Sequence, residues 1–271
     1  MRQAGHLDLE SRPNKRHGGY NMPLTATGIS FIFMNTTGSI GDMRTFMHES
    51  GHAVHALLTR ALPLITAKRP PAEIAELAAM TMELLTMDLW HHFFPLRQDL
   101  IRAQIWQLEN ILQLLPWIAT IDQFQHWIYT HPDHTAEERR HCWLTTMQAF
   151  STPVINRAGL DDYVACAWYR QLHLFEAPFY YVEYGMAQLG AIAIWKRYKE
   201  QGSVALNDFI SALSLGYTKS IPEVYATAGI TFQFSVDYVN DLAQFISKEL
   251  DSLLKEQMIY STDRENGRLV L

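Results

Sequence analysis

Residues 45–58 read TFMHESGHAVHALL, and the spacing inside that run is the most informative feature of the chain. His48 and His52 are four residues apart. On an α-helix this sets both imidazoles on one side, one turn apart, where they can reach a single ion. Zn²⁺ accepts neutral histidine nitrogens at about 2.0–2.1 Å, which the spacing permits. Glu49 lies beside them, placed to hold a water and take its proton. Metal-assisted amide hydrolysis needs that pairing: the ion acidifies the water and polarises a carbonyl, and the carboxylate carries the proton to the leaving amine. With 12 histidines in the chain, a His-Glu-x-x-His run arises by chance in only about three chains per hundred. Two ordinary helix histidines around a solvated glutamate is therefore the weaker account.

A catalytic zinc site needs a third protein ligand and one open position. The extended metzincin arrangement would put glycine at position 55 and histidine at 58. The chain has His55 and Leu58 there, which excludes that class. His55, one turn beyond His52, is a candidate for a supporting role behind the ligands. The next helix offers Glu73, Glu76 and Glu83, whose separations of three and seven residues set them on one face, opposite an apolar stripe. Like charges so spaced repel by about 0.2–0.5 kcal/mol per pair, a penalty that a nearby cation removes. A solvated acidic face is the alternative, with Glu73 favoured by its place in the first turn. Spacing does not choose among the three.

Outward from this run, a helix is expected over residues 42–60, with Met43, Phe46 or Met47, Ser50, Val54, Leu57 and Leu58 recurring at three and four to form its apolar side. Pro63, Pro70 and Pro71 separate it from a second helix over 71–91, with Ala75, Ala78, Met82, Leu85 and Leu89 on one face. Pro95, Pro116, Pro132, Pro153, Pro178 and Pro222 punctuate further helices. The last clear one spans about 236–254, with Val239, Leu242, Ile246, Leu250 and Leu253 buried; residues 258–271 read as polar and frayed. Upstream, ISFIFMN (Ile29 to Asn35) is β-branched and aromatic, bracketed by Gly28 and Gly38, and reads as a strand. The expected fold is mainly α with a small β element near the N-terminus. No repeat or low-complexity tract interrupts it.

Composition narrows the function classes. The chain has 271 residues, 48% hydrophobic and 18% charged, with 12% aromatics. That is the opposite of a disordered composition. A formal net charge of −6 argues against nucleic-acid binding, which needs a basic footprint. Arg12, Lys15 and Arg16 read as a solvated loop. Cys142 and Cys166 cannot make a disulfide framework or a zinc knuckle. Neither a leader-like apolar run in the first twelve residues nor a stretch of about 18 apolar residues is present, so a cytoplasmic chain without a membrane span is expected. Met80, Met82 and Met87 read as core filling. His91 and His92 are adjacent and point to different sides of a helix, and His131, His134 and His141 span a turn; neither set reads as a second metal site.

The run FIFMNTTGSIGDMRTFMHESGHAVHALL, followed by PAEIAELAAMTMELL, resembles the oligoendopeptidase F branch of the thimet oligopeptidase-like zinc peptidases. The resemblance implies a zincin-like, neurolysin-like helical catalytic domain, one Zn²⁺ as cofactor, and cleavage of internal bonds in short peptides. In that family the third ligand is a glutamate in a segment that maps onto Ala75-Glu76. This makes Glu76 the implied ligand and Glu83 a carboxylate that orients a ligating histidine. WYRQLHLFEAPFYYVEYGMAQLGAIAIW, Trp168 to Trp195, is similar to the family segment whose histidine and tyrosines face the substrate. Read from chemistry alone, His173, Tyr180, Tyr181 and Tyr184 are neutral donors where a loop enters a helix around Pro178, able to stabilise an oxyanion. Core or interface aromatics are the alternative. The resemblance implies the catalytic role for His173 and Tyr184 and substrate contact for Tyr180 and Tyr181. LSLGYTKSIPEVYATAGITF also fits the family pattern.

The family's members are about twice as long, with a helical N-terminal half that this sequence lacks. The resemblance covers roughly residues 10–245, and the chain, residues 1–271, reads as the zinc-bearing C-terminal part alone. That shortfall raises two expectations. Trp90, Phe93, Phe94, Trp106, Trp117, Phe124 and Trp127 are candidates for surface that the absent half would cover. The chain is expected to self-associate or to need a complementing N-terminal chain. A zinc- and peptide-binding helical domain without catalysis is the alternative to a peptidase.

Overall fold

The strand expected over residues 29–35 runs Ile29–Thr36 (β3) and forms the centre of a three-stranded sheet. It pairs in parallel with Leu7–Glu10 (β1), Leu7 opposite Ile32. On its other side it pairs antiparallel with Tyr20–Leu24 (β2), Tyr20 opposite Phe33 and Leu24 opposite Ile29. Alternate β3 side chains, Ser30, Ile32 and Met34, are buried, the period-two pattern of a strand with one covered face. Ile32 and Met34 pack with Ala53 and Phe46 of the next helix. This is a computed structural model, and it describes residues 1–16 and 18–265, with side chains described as far as residue 260.

The rest is helical: Ile40–Thr59 (α1), Ala72–Leu85 (α2), Arg97–Thr130 (α3), Ala136–Phe150 (α4), Asp161–Ala165 (α5), His173–Glu176 (α6), Tyr181–Gln201 (α7), Ser203–Ser214 (α8), Ile221–Thr227 (α9) and Val236–Glu265 (α10). The chain divides into two compact units, residues 1–109 with 187–271, and residues 110–186. His48, Glu49 and His52 lie in the first.

A reciprocal cap starts α1. The Ser39 hydroxyl accepts from the Asp42 amide at 3.3 Å, and the Asp42 carboxylate accepts from the Ser39 amide at 2.8 Å. Two of the four free N–H groups of the first turn are thus accounted for, and the helix entry is fixed. Gly51 and Ala53 are small enough for neighbouring elements to approach α1 closely.

Several expectations need correction. α1 has no continuous apolar stripe: Leu57 is exposed, while Glu49, His55 and Thr59 are buried. The second helix ends at Leu85 and continues as a 3-10 turn over Met87–His92. Its buried set is Ile74, Leu77, Ala78, Ala79, Met80, Thr81 and Leu84, together with Glu76 and Glu83. Leu89, expected inside, is 55% exposed. α2 is enclosed on nearly all sides, so its acidic face is not solvated. Pro116 interrupts nothing; it lies inside α3. The lost backbone hydrogen bond costs on the order of 3 kcal/mol, and burial of Ile111, Ile118 and Ile121 on either side of it holds the helix together. α10 runs on to Glu265, and the expected fraying falls partly beyond the described residues. Of its expected stripe, Leu242 and Ile246 are buried, while Val239, Leu250 and Leu253 are only half-buried.

Lys15 is not a solvated charge. Its side chain is 2% exposed and donates to the Asp8 carboxylate at 3.0 Å and to the Glu10 carbonyl at 2.7 Å. It therefore ties the loop to β1. Cys142 and Cys166 are both free.

In the unit of residues 110–186, Ile121, Phe124, Trp143 and Trp168 form the core. The Trp143 indole nitrogen donates to the Val164 carbonyl at 2.7 Å. Of the seven aromatics expected to reach the surface, Trp90 and Phe124 are fully buried and Phe93 alone is more than half exposed. Exposed apolar side chains of this unit include Val154, Ile155, Tyr163, Tyr169, Leu172 and Phe175. Among the described residues, no helix is long and apolar enough to cross a membrane.

Candidate metal centre

α1 and α2 bring three side chains of the sequence motif to one point. Ligand atoms of His48, His52 and Glu76 all lie within 4.8 Å of one another. His48 Nε2 is 3.3 Å from Glu76 Oε2, and His52 Nε2 is 3.9 Å from Glu76 Oε1. Two ligands of one tetrahedral zinc ion sit about 3.4 Å apart at bond lengths near 2.1 Å. The two imidazoles meet edge to face with centroids 5.0 Å apart.

Glu76 Oε2 is buried and makes no hydrogen bond. His48 Nε2 approaches it to 3.3 Å as an ion-pair contact. A buried carboxylate oxygen without a donor is costly unless a cation faces it. The donor set, two imidazoles and a carboxylate, is that of catalytic zinc. The residues fit the ion.

Glu83 does not join this triangle. It lies behind His48, one carboxylate oxygen 2.7 Å from His48 Nδ1. Its other oxygen accepts from Arg44 Nε at 2.8 Å and from Gln107 Nε2 at 2.7 Å. Glu73 is half-buried in the first turn of α2 and has no part in the cluster. The two groups missed in the sequence are Arg44 and Gln107. Arg44 sits four residues before His48 on the same helix face, a signal that was readable. Gln107 comes from α3 and leaves no local trace.

The electrostatics stem from burial. Burial disfavours charge on His48, but the carboxylates of Glu76 and Glu83 outweigh it and raise the imidazole to about 10. Burial pulls His52 down to about 4. Glu49 is 6% exposed, and burial raises its carboxyl above the usual range, opposed by His48 and by the Asn21 backbone amide. Glu83 is held low, at about 2, because Arg44 and His48 overcome the cost of burying its charge. His55 is buried against α8, where the Leu213 backbone is its partner, and burial depresses it to about 4. That position suits a tie between helices.

In the other unit, His173 gathers the three expected tyrosines: Tyr180 parallel at 5.7 Å, Tyr181 at 5.1 Å and Tyr184 edge-on at 5.6 Å between ring centroids. The Trp117 indole donates to Gln171 Oε1 at 2.9 Å, which fixes the amide's orientation. Gln171 Nε2, 2.7 Å from His173 Nδ1, must then donate to it. A neutral His173 so held carries its proton on Nε2 and presents that nitrogen as a donor. Just before α7, Phe179 has φ 61°, in the left-handed region that disfavours large side chains, and its amide donates to Gln125 Oε1 at 3.0 Å. Such strain persists only where surroundings impose it. Among the described residues, neither His91 and His92 nor His131, His134 and His141 form a metal cluster.

The chain is similar to known peptidases. Oligoendopeptidase F, chromosomal, of Lactococcus lactis subsp. cremoris is 22% identical over 263 residues, covering 92% of this chain and 41% of that protein. Oligopeptidase PepF of Bacillus subtilis (strain 168) is 22% identical over 249 residues, covering 91% and 37%. The chain thus spans about two fifths of the length of these curated relatives. An X-ray structure attributed to an oligoendopeptidase F superposes with a TM-score of 0.85 at 31% identity, over 93% of this chain and 44% of that one. A structure of PZ peptidase A with an inhibitor gives 0.84 at 30%, with the same coverage. The family described as Peptidase family M3 matches residues 1–244. This chain belongs to peptidase family M3.

Proposed function

We propose that the chain is the zinc-bearing part of a metalloendopeptidase that hydrolyses internal bonds of short peptides in the cytoplasm. The observation that carries this is the convergence of His48, His52 and Glu76 on one point, with a buried Glu76 oxygen lacking any donor. The peptidase relatives support the substrate class. Zinc held by those three side chains supplies an acidified water and a polarised carbonyl. Glu49 does the proton work. It directly follows His48 and stands three residues before His52, and burial makes its carboxylate a better base than an exposed one. It takes the proton of the attacking water and delivers it to the leaving nitrogen. His173 and Tyr184 act as donors to the developing oxyanion, and Tyr180 and Tyr181 contact the substrate. The packing of these rings on one another and the fixed donor face of His173 support those assignments.

A second reading of the same residues is a domain that binds zinc and peptide without cleaving it. One experiment separates the two. The chain is assayed on a fluorogenic short peptide with and without chelator, beside Glu49→Gln, with zinc content measured on each. Chelator-sensitive turnover lost in the variant, with zinc retained, supports the peptidase. About one zinc per chain without turnover supports the binding domain. Unchanged turnover in Glu49→Gln, contaminating proteases excluded, overturns the assignment of the base.

A further inference from the structure

Glu83 is the most enclosed charge near the site, 1% exposed. All three groups that bond to its carboxylate are donors. Oε1 accepts from His48 Nδ1, and Oε2 accepts from both Arg44 Nε and Gln107 Nε2. A carboxylate oxygen with two well-placed donors cannot swing away without losing both. Fixing Oε2 in this way leaves Oε1 with one orientation, facing His48. The imidazole must then keep its proton on Nδ1 and turn Nε2 toward Glu76 and His52.

Arg44 is well placed for this by its own helix. It stands one turn before His48, as His48 stands one turn before His52, so the three side chains line one face of α1. Its side chain is 31% exposed, and Nε, the nitrogen nearest the stem, makes the contact. Gln107 reaches the same oxygen from α3 and is 1% exposed. Because Glu83 only accepts, the Gln107 amide must point its nitrogen there, which leaves its own buried oxygen without a partner. The unpaired oxygen carries a desolvation cost that the bond to Glu83 offsets in part.

We infer that Arg44 and Gln107 are positioning residues: they clamp Glu83 from two helices and so hold His48 with Nδ1 as donor and Nε2 free for the metal. The inference rests on the metal-site reading of His48, His52 and Glu76, and the test is chosen so that the two fail separately.

Zinc affinity of the 271-residue chain is measured by chelator competition for wild type, Arg44→Met, Arg44→Lys, Gln107→Leu, Glu83→Gln and the Arg44→Met/Glu83→Gln pair. In parallel, the Nδ1–H resonance of His48 is monitored in metal-free, ¹⁵N-histidine-labelled protein, assigned by its loss in His48→Gln. Arg44→Met and Gln107→Leu should each weaken zinc binding, by about 10–100-fold for the arginine, and broaden or shift the Nδ1–H signal. Arg44→Lys should recover part of both. In the Glu83→Gln background, Arg44→Met should cost little more, because the arginine acts through that carboxylate.

A purely structural arginine would lower the melting temperature and leave the Nδ1–H signal and the zinc affinity of the folded variant in place; that result overturns the inference. Full loss persisting in the Glu83→Gln background does so too. If Arg44→Met does not fold, Arg44→Lys and Gln107→Leu decide the matter by the same readouts. A wild-type chain that binds no zinc overturns the metal reading instead, and the Nδ1–H signal still shows whether the clamp holds His48.

Discussion

Gly51 and Ala79 meet backbone to backbone: a Cβ built on Gly51 would lie 2.6 Å from Ala79 Cα and 2.7 Å from the Ala78 carbonyl oxygen. Neither neighbour is a flexible side-chain end, so nothing nearby can give way cheaply. The contact sets how closely α1, with His48 and His52, can approach α2, with Glu76. Gly51→Ala should therefore force the helices apart, destabilise the fold by about 1–3 kcal/mol and weaken zinc binding in the molecules that remain folded. Denaturant melts and a zinc titration check this. Undiminished affinity would mean that the close approach serves packing alone.

The three acidic residues of α2 should separate cleanly. Glu76→Ala removes a bond to the metal and should abolish most of the zinc affinity. Glu73→Ala should be nearly silent, because the Glu73 carboxylate lies outside the cluster and its backbone carbonyl, which accepts from the Tyr225 hydroxyl, is kept. Glu83→Ala should weaken zinc by about 10–100-fold. It should also cost stability, on the order of 3–5 kcal/mol, for breaking a buried ion pair on one side. Equal zinc loss in the Glu73 and Glu76 variants would reverse the ligand assignment.

Zinc loading should release protons. In the metal-free chain, Glu76 and Glu83 hold the His48 imidazole protonated well above its ordinary range, whereas His52 is already neutral at pH 7. The ion needs both rings neutral, so at pH 7 about one proton should leave per zinc bound. Affinity should fall as pH is lowered. The sign is opposite for the metal-free fold: a raised folded pKa stabilises it fully below the unfolded value of about 6.5, and that contribution fades as pH rises through about 10. Titration calorimetry in buffers of different ionisation enthalpy counts the protons. No proton uptake by the buffer would show that His48 is neutral before the metal arrives.

Gln171 should control which nitrogen of His173 carries the proton. Gln171→Glu places an acceptor opposite Nδ1, draws the proton there and leaves Nε2 without one. Turnover should fall by about 10²–10³, the cost of one oxyanion donor, with zinc content unchanged. ¹⁵N shifts of His173 report the tautomer directly. A reversed tautomer with unaltered turnover would remove His173 from the chemistry.

Much of the fold and of the candidate metal site was legible in the sequence, for reasons that can be named. α1 begins within two residues of its expected start because its cap and its motif are local signals. The choice of Glu76 over Glu73 and Glu83 was not legible from spacing. The three share a helix face, and only α1 packing against that face distinguishes them. The expected stripe failed on α2 because that helix is covered on nearly all sides and no single face is set apart; on α1 it failed because Glu49, His55 and Thr59 take buried positions. Pro116 reads as a boundary in sequence but is none, since neighbours far along the chain, not local propensity, keep α3 intact. Gln107 lay out of reach for the same reason: its partner is 24 residues away on another helix.

The ligand set spans only His48 to Glu76, with a single turn-containing connection between its two helices. An ion gripping both closes a loop of roughly two dozen residues, and each doubling of such a loop costs only about 0.6 kcal/mol in entropy. Metal capture at this site thus calls for little long-range organisation of the chain. Contacts of low sequence separation form early in folding, so the ion can act as a staple on a half-made molecule, joining α1 to α2 while the later helices are still finding their places.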